Sequence, residues 1–117
     1  MEVNIYGIKN CDTMKKAFAF LDGKGISYNF IDYKKNKPDE RLLVRFADKV
    51  GFDSLINKKG TTYRKLKEED KQALEMEATA LAILGEQSSM IKRPIIEFPD
   101  GTLLVGFDEE KIISKLK

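Results

Sequence analysis

The single cysteine of the chain, Cys11, is the side chain best suited to chemistry. It lies in a polar stretch, with Lys9 and Asn10 before it and Asp12 and Thr13 after it. A lone cysteine is most often a small buried side chain whose apolar surroundings raise its pKa. The polar neighbours of Cys11 instead favour a reactive thiol in a loop, and we adopt that interpretation.

The elements on either side of Cys11 support this interpretation. Residues 3–6 are rich in β-branched and aromatic side chains and predict a strand. After Cys11, apolar residues recur at the spacing of a one-sided helix, namely Met14, Ala17, Phe18 and Leu21. Cys11 should therefore lie at a helix N-terminus, where free N–H groups and the helix dipole favour a thiolate. Lys9, Lys15 and Lys16 add positive charge nearby.

Composition narrows the class of protein. The chain has 117 residues, 42% hydrophobic and 34% charged, which is typical of one globular domain. A single cysteine cannot form an internal disulfide, and no secretory pattern precedes it, so we expect a cytoplasmic protein. The chain contains no histidine, which excludes cysteine–histidine nucleophile pairs and zinc sites that need histidine. The net charge of +2 and the lack of a long apolar run predict no nucleic-acid or membrane partner.

The first half of the chain predicts a βαβ unit followed by a helix. A glycine near residues 22–25 should end the first helix, and residues 26–33 predict a second strand, parallel to the first. Pro38 is expected in the first turn of the next helix, which Gly51 should close.

Residues 58–67 are basic and predict a polar loop able to bind an anion, although a solvated surface is the commoner explanation. Residues 68–77 are acidic and predict the start of one helix ending at Gly85. The expected apolar face of this helix comprises Leu74, Ala78, Leu81 and Ile83 or Leu84.

The last part predicts an antiparallel hairpin and a helix. Strands are expected at 95–98 and 102–105, joined by a Pro-Asp-Gly turn and headed by Pro94. Asp108 should cap the last helix, with Ile112, Ile113 and Leu116 packing inward.

The order β-α-β, helices, β-β-α predicts an α/β fold with a thioredoxin/glutaredoxin-like four-stranded mixed sheet. We expect one domain over residues 1–117, with its core at 1–35 and 91–117 and a helical insertion at about 36–90. In such a fold the turn at Arg93 and Pro94 should face Cys11.

Three motifs resemble the ArsC/Spx family of thioredoxin-fold proteins, and most closely its YffB-type branch. They are YGIKNCDTMKKA at residues 6–17, LINKKGTTYRKL at 55–66, and RPII at 93–96 with DGTLLVGF at 100–107. The resemblance implies a glutaredoxin-like core with a helical insertion, and a cis peptide before Pro94.

The resemblance also bears on activity. In arsenate reductases of this family, a cysteine at the place of Cys11 attacks arsenic, and three arginines hold the oxyanion. Arg93 matches one arginine, whereas Asn57 and Gly106 stand near the places of the other two. Lysine lacks the bidentate fork of arginine, so the neighbouring lysines would replace it only in part.

The resulting hypothesis is a glutathione-dependent thiol reductase with a one-cysteine mechanism. Cys11 would form a mixed disulfide that an external small thiol resolves, acting on small disulfide or oxyanion substrates. The expected binding residues for glutathione, an anionic co-substrate, are Lys9, Asn10, Thr13, Lys58, Lys59, Arg93 and Pro94. No bound cofactor and no metal are expected.

Two alternatives stay open. The chain could be an arsenate reductase, or a non-enzymatic Spx-like module that binds RNA polymerase. Spx-type regulators often carry a CxxC switch, and here Met14 stands at the place of the second cysteine, so an internal disulfide switch cannot form.

Overall fold

The computed structural model of the protein describes residues 3–116. Contacts divide the chain into two compact units. The sheet unit comprises the described residues 3–36 and 93–116, and the helical unit comprises residues 37–92. That the whole chain forms one domain stays a prediction.

The sheet unit contains a four-stranded mixed sheet, as the sequence predicts. Its strands are β1 (Val3–Gly7), β2 (Tyr28–Asp32), β3 (Ile95–Glu97) and β4 (Leu103–Val105). Their order in the sheet is β2-β1-β3-β4. β1 pairs with β2 in parallel, whereas β3 is antiparallel to both β1 and β4. The thioredoxin/glutaredoxin-like α/β fold is therefore confirmed, together with the βαβ unit and the hairpin.

One face of this sheet carries the apolar core of the unit. Side chains of a strand alternate between the two faces, so Val3 and Ile5 share a face with the paired Ile96. Helices α1 (Asp12–Gly23) and α6 (Glu109–Leu116) cover that face. The core residues that they contribute are Met14, Ala17, Leu21 and Ile112, all fully buried.

The ends of α1 and α6 follow the sequence signals. Gly25 takes a positive φ of 68° just after α1, and the Asp108 carboxylate accepts a hydrogen bond from Lys111 N–H at 3.1 Å. The inward packing expected of Ile113 is wrong, because it points about 100° away from the buried Ile112 and is 36% exposed. Gly7 is the last residue of β1.

The helical unit has four α-helices and two short 3₁₀ segments within residues 37–92. The α-helices are α2 (Glu40–Val50), α3 (Thr61–Arg64), α4 (Glu68–Ala73) and α5 (Glu77–Glu86). The 3₁₀ segments are Phe52–Leu55 and Ser88–Met90. A bridge between Ile56 and Ile91 joins the segments that follow them.

Helix α2 begins two residues later than the sequence suggests. Pro38 lies before the helix, and Asp39 is its N-cap, where the carboxylate accepts a hydrogen bond from Leu42 N–H at 2.8 Å. An N-cap carboxylate satisfies an amide that the helix leaves free, so it sets the helix start more firmly than proline does. Gly51 closes α2 with a φ of 84°, as predicted.

The single helix expected from residue 68 to Gly85 is wrong. The chain breaks at residues 74–76, where the Thr79 hydroxyl of the next helix donates to the carbonyls of Ala73 and Met76. Gly85 lies inside α5, since its φ is not positive and the helix continues to Glu86. On α5, Leu81 and Leu84 are buried as expected, whereas Ala78 is exposed. The basic loop also contains a helical turn, α3.

Candidate active site

The strand–turn–helix connection of the sheet unit places Cys11 at the N-cap of α1. Its backbone is extended, with φ −142° and ψ 132°, while its carbonyl already accepts the hydrogen bond of Lys15 N–H at 2.9 Å. The side chain therefore lies beside the first turn of the helix, where backbone N–H groups have no partner within the helix. The twelve residues of α1 direct the positive end of their dipole towards the same point.

The surroundings of Cys11 favour its thiolate. Partial burial raises the pKa of the thiol, but three donors act in the opposite direction: Met14 N–H, the Arg93 side chain and Thr13 N–H. The positive charge of Arg93 adds to them, and the net result is a pKa below the ordinary value of a cysteine. The side chain is only half-buried, so a reactant can reach the sulfur.

Arg93 reaches Cys11 from the start of β3. The Arg93–Pro94 peptide is cis, as the resemblance implied. Pro94 is buried, and its carbonyl accepts a hydrogen bond from Gly106 N–H at 2.8 Å, which ties this turn to the end of β4. The structure therefore brings Cys11 and Arg93 together.

The remaining expected site residues of the sheet unit have different environments. Thr13 contributes its backbone N–H to Cys11, whereas its side chain is exposed. Lys9 and Asn10 are exposed in the turn before Cys11, and Lys15 and Lys16 are exposed on α1. The three lysines contribute exposed positive charge to the surface of the sheet unit.

Lys58 and Lys59 belong to the helical unit. Lys58 Nζ forms an ion pair with Asp53 Oδ1 at 2.8 Å, and this hydrogen bond raises the pKa of Lys58. Lys59 is exposed. A role of either lysine in binding a substrate of Cys11 stays a prediction.

Two further residues matter to the site, and sequence reasoning gave them no part in it. Met14 supplies a backbone N–H to the thiol, and its fully buried side chain packs against Gly7 at the end of β1. The helical pattern identified Met14 only as a core residue. Close packing between two specific atoms leaves no signal in a single sequence.

Residues 3–116 contain no group of three or more His, Cys, Asp or Glu side chains arranged to hold a metal ion. Over the same residues, no helix has the length and apolar character needed to cross a bilayer.

Comparison with known proteins decides the family. The sequence profile of the ArsC family matches residues 6–114. The chain belongs to the ArsC family. A Haemophilus influenzae protein is 42% identical to it over 109 residues, covering 93% of this chain and 94% of that protein.

Solved structures agree with this membership. A protein named YffB is 43% identical and superposes with a TM-score of 0.92, covering 98% of this chain and 99% of that one. An arsenate reductase-related protein of Brucella melitensis is 46% identical, with a TM-score of 0.78 over 100% of this chain and 96% of that one. The resemblance to the YffB-type branch is therefore confirmed, and this kinship supports a thiol reductase-like chemistry.

Asn57 and Gly106 stand near the two positions where the family resemblance would place further arginines. Gly106 has a φ of 94°, a conformation that an arginine would adopt only with strain. Asn57, in the helical unit, donates its backbone N–H to Met90 O at 2.7 Å.

Proposed function

We propose that the protein is a glutathione-dependent thiol reductase in which Cys11 is the only redox-active residue. The observation that carries this proposal is a half-buried thiol at the N-cap of α1, beside Met14 N–H and Arg93, whose hydrogen bonds lower its pKa. Thiol–disulfide exchange needs an accessible thiolate, and its rate depends on how much of the thiol is ionised. Membership of the ArsC family is consistent with such an oxidoreductase.

The first step is the attack of the Cys11 thiolate on the glutathione sulfur of a mixed disulfide, RS–SG. The S–S bond of the substrate breaks as a new one forms between Cys11 and glutathione. The electron pair leaves with RS⁻, which takes a proton from water and is released as the reduced thiol. The positive charge of Arg93 beside the Cys11 sulfur would stabilise the negative charge shared among the reacting sulfurs in this transition state.

The second step returns the enzyme to its starting state. The thiolate of a second glutathione attacks the glutathione sulfur bound to Cys11, releasing glutathione disulfide and the Cys11 thiolate. Over both steps, RS–SG is reduced to RSH while two glutathione units are joined in the disulfide. No second cysteine is needed, and the chain contains none.

Glutathione carries two carboxylates, so its site requires donors and positive charge. In the sheet unit, Lys9, Asn10, Thr13 and Arg93 offer these around Cys11, and the buried cis-Pro94 turn would form the wall opposite α1. A role of Lys58 and Lys59 in glutathione binding stays a prediction from the sequence. We place the protein in a reducing cytoplasm, because a reactive lone thiol would be oxidised or captured elsewhere.

A paired measurement tests this proposal. Treatment with oxidised glutathione should add one glutathione per chain, detected by intact mass spectrometry, and Cys11→Ser should lose the adduct. Reduced glutathione should remove it, and the wild-type protein should turn over a small glutathione mixed disulfide continuously. Oxidation that gives only covalent dimers would contradict a glutathione site, and an adduct without turnover would contradict the second step.

Arsenate reduction is the second candidate, favoured by the similarity to the Brucella arsenate reductase-related protein. The same thiolate would attack arsenic instead of sulfur. The oxyanion would then depend on Arg93 and surface lysines, because Asn57 and Gly106 supply no guanidinium.

A further inference from the structure

Gly7 lies at a point where even a Cβ would overlap the side chain of Met14. A Cβ built on Gly7 would lie 2.6 Å from Sδ of Met14 and 2.8 Å from its Cε, whereas real Cβ contacts essentially never fall below 3.0 Å. The backbone itself does not need glycine, because Gly7 is not among the glycines of positive φ. Glycine at this position is therefore favoured by the space that the Met14 side chain occupies and not by backbone conformation.

The Met14 side chain that such a Cβ would meet is fully buried. It is 0% exposed and packs within the core cluster of the sheet unit, which also contains Ile5, Ala17 and Ile96. A methionine on the surface would swing aside cheaply, but a buried one moves only if its neighbours or its own backbone move as well. An added Cβ at Gly7 would therefore press on the first turn of α1.

That first turn is the one that hydrogen-bonds the thiol. The N–H groups of Met14 and Thr13 both donate to Cys11, and hydrogen bonds are lost steeply with small changes of distance and angle. Arg93, the other donor, would be disturbed less, since its Cβ would lie at an ordinary 3.5 Å from the added atom.

We infer that Gly7 is a positioning residue for Cys11. By leaving room for the Met14 side chain, it keeps the first turn of α1 where its N–H groups can hydrogen-bond the thiolate. This inference deepens the proposed function and takes from it only that the Cys11 thiolate is the reacting group. Met14 accordingly has two roles. Its N–H donates to the thiol, and its side chain packs against Gly7 in β1.

Gly7→Ala tests the inference through the pH dependence of Cys11 alkylation by iodoacetamide, which needs no glutathione turnover. We expect the pKa of Cys11 to rise by about one unit, which is about a tenfold loss of thiolate at a pH below that pKa. The double variant Gly7→Ala/Met14→Ala keeps the Met14 N–H but removes Sδ and Cε, so it should return the pKa towards the wild-type value.

Two controls separate positioning from general damage. Gly23→Ala adds a Cβ to the last residue of the same helix, where nothing lies within 4 Å, and should leave the pKa of Cys11 unchanged. Met14→Ala alone should shift the pKa less than Gly7→Ala does, since no atoms then overlap.

Each outcome either supports or overturns the inference that Gly7 positions Cys11. An unchanged pKa of Cys11 in Gly7→Ala overturns the inference, as does a double variant that is no closer to wild type than Gly7→Ala. If Gly7→Ala does not fold, the double variant decides, because a folded protein with a near-native pKa supports the inference and any other result contradicts it. Failure of glutathione turnover in the wild type would refute the proposed function and leave this comparison intact.

Discussion

Replacing Arg93 with alanine removes both a hydrogen bond and a positive charge from the Cys11 thiolate. A hydrogen bond to a charged group contributes about 1.5–3 kcal/mol. Because Cys11 is only half-buried, solvent screens part of this, and we take the lower end. One pKa unit corresponds to about 1.4 kcal/mol, so the pKa of Cys11 in Arg93→Ala should rise by about one unit.

This rise has opposite effects on rate at low and at high pH. Below the pKa, about ten times less thiolate is present, but each thiolate is about three times more nucleophilic, because nucleophilicity rises with pKa with a Brønsted slope of about 0.4–0.5. Alkylation of Arg93→Ala by neutral iodoacetamide should therefore be about threefold slower than wild type at low pH. Where both thiols are ionised, it should be about threefold faster.

A glutathione mixed disulfide should behave differently from the neutral reagent. Its carboxylates would lose the guanidinium as well, so its reaction with Arg93→Ala should be slower than wild type on both sides of the pKa. Comparing the two reagents across pH therefore separates the effect of Arg93 on the thiol from its effect on the substrate.

The matched control is Lys92→Ala, which removes one positive charge from the adjacent, exposed residue. An exposed charge is screened by water and salt, so this variant should change the pKa of Cys11 by no more than a few tenths. Equal shifts in Lys92→Ala and Arg93→Ala, or no shift in Arg93→Ala, would refute the assignment of Arg93 to the thiolate. Equal urea midpoints for all three proteins would show that the fold is intact.

Three other measurements probe the fold and the site. The buried hydroxyl of Tyr33 has no hydrogen-bond partner within residues 3–116. Tyr33→Phe should therefore leave the free energy of unfolding unchanged or raise it by up to about 1 kcal/mol. A clear decrease of this free energy in urea unfolding would contradict the prediction. Because folding lowers the pKa of Cys11, the unfolded chain binds more protons between that pKa and about 8.5. The stability of wild type relative to Cys11→Ser should therefore rise with pH across that window, and a flat difference would argue against a lowered pKa. No guanidinium group stands at Asn57 or Gly106, so two contacts of about 1.5–3 kcal/mol each are missing. Glutathione-dependent arsenate reduction should therefore be about two to four decades slower than in a family member with three arginines. A comparable rate would refute this.

Features set by neighbouring residues could be predicted from the sequence. The position of Cys11 depends on a short apolar strand and a one-sided helical pattern, and both patterns are local. The hairpin likewise follows from the Pro-Asp-Gly turn between two apolar runs, and Asp108 caps α6 through its own side chain. In each case the residues that specify the feature also lie within it.

Features for which the sequence offers two competing signals could not be predicted. The helical pattern passes without interruption through residues 74–76, whereas the chain breaks there and the Thr79 hydroxyl donates to carbonyls on the other side of the break. Gly85 is equally compatible with a helix end and a helix interior, and here the helix continues to Glu86. The start of α2 shows the same limitation, since both Pro38 and Asp39 are plausible starting signals and only one caps the helix.

The approach of Arg93 to Cys11 follows from the order and register of the strands. β1 ends just before Cys11, and β3 begins just after Arg93. Because β3 lies beside β1 and runs antiparallel to it, the end of one strand meets the start of the other, with Tyr6 paired to Ile95. A slip of one residue would move Arg93 by about 3.3 Å and reverse the face of every β3 side chain. The core residue Ile96, paired with Ile5, opposes such a slip, so the packing that stabilises the sheet also holds the guanidinium beside the thiolate.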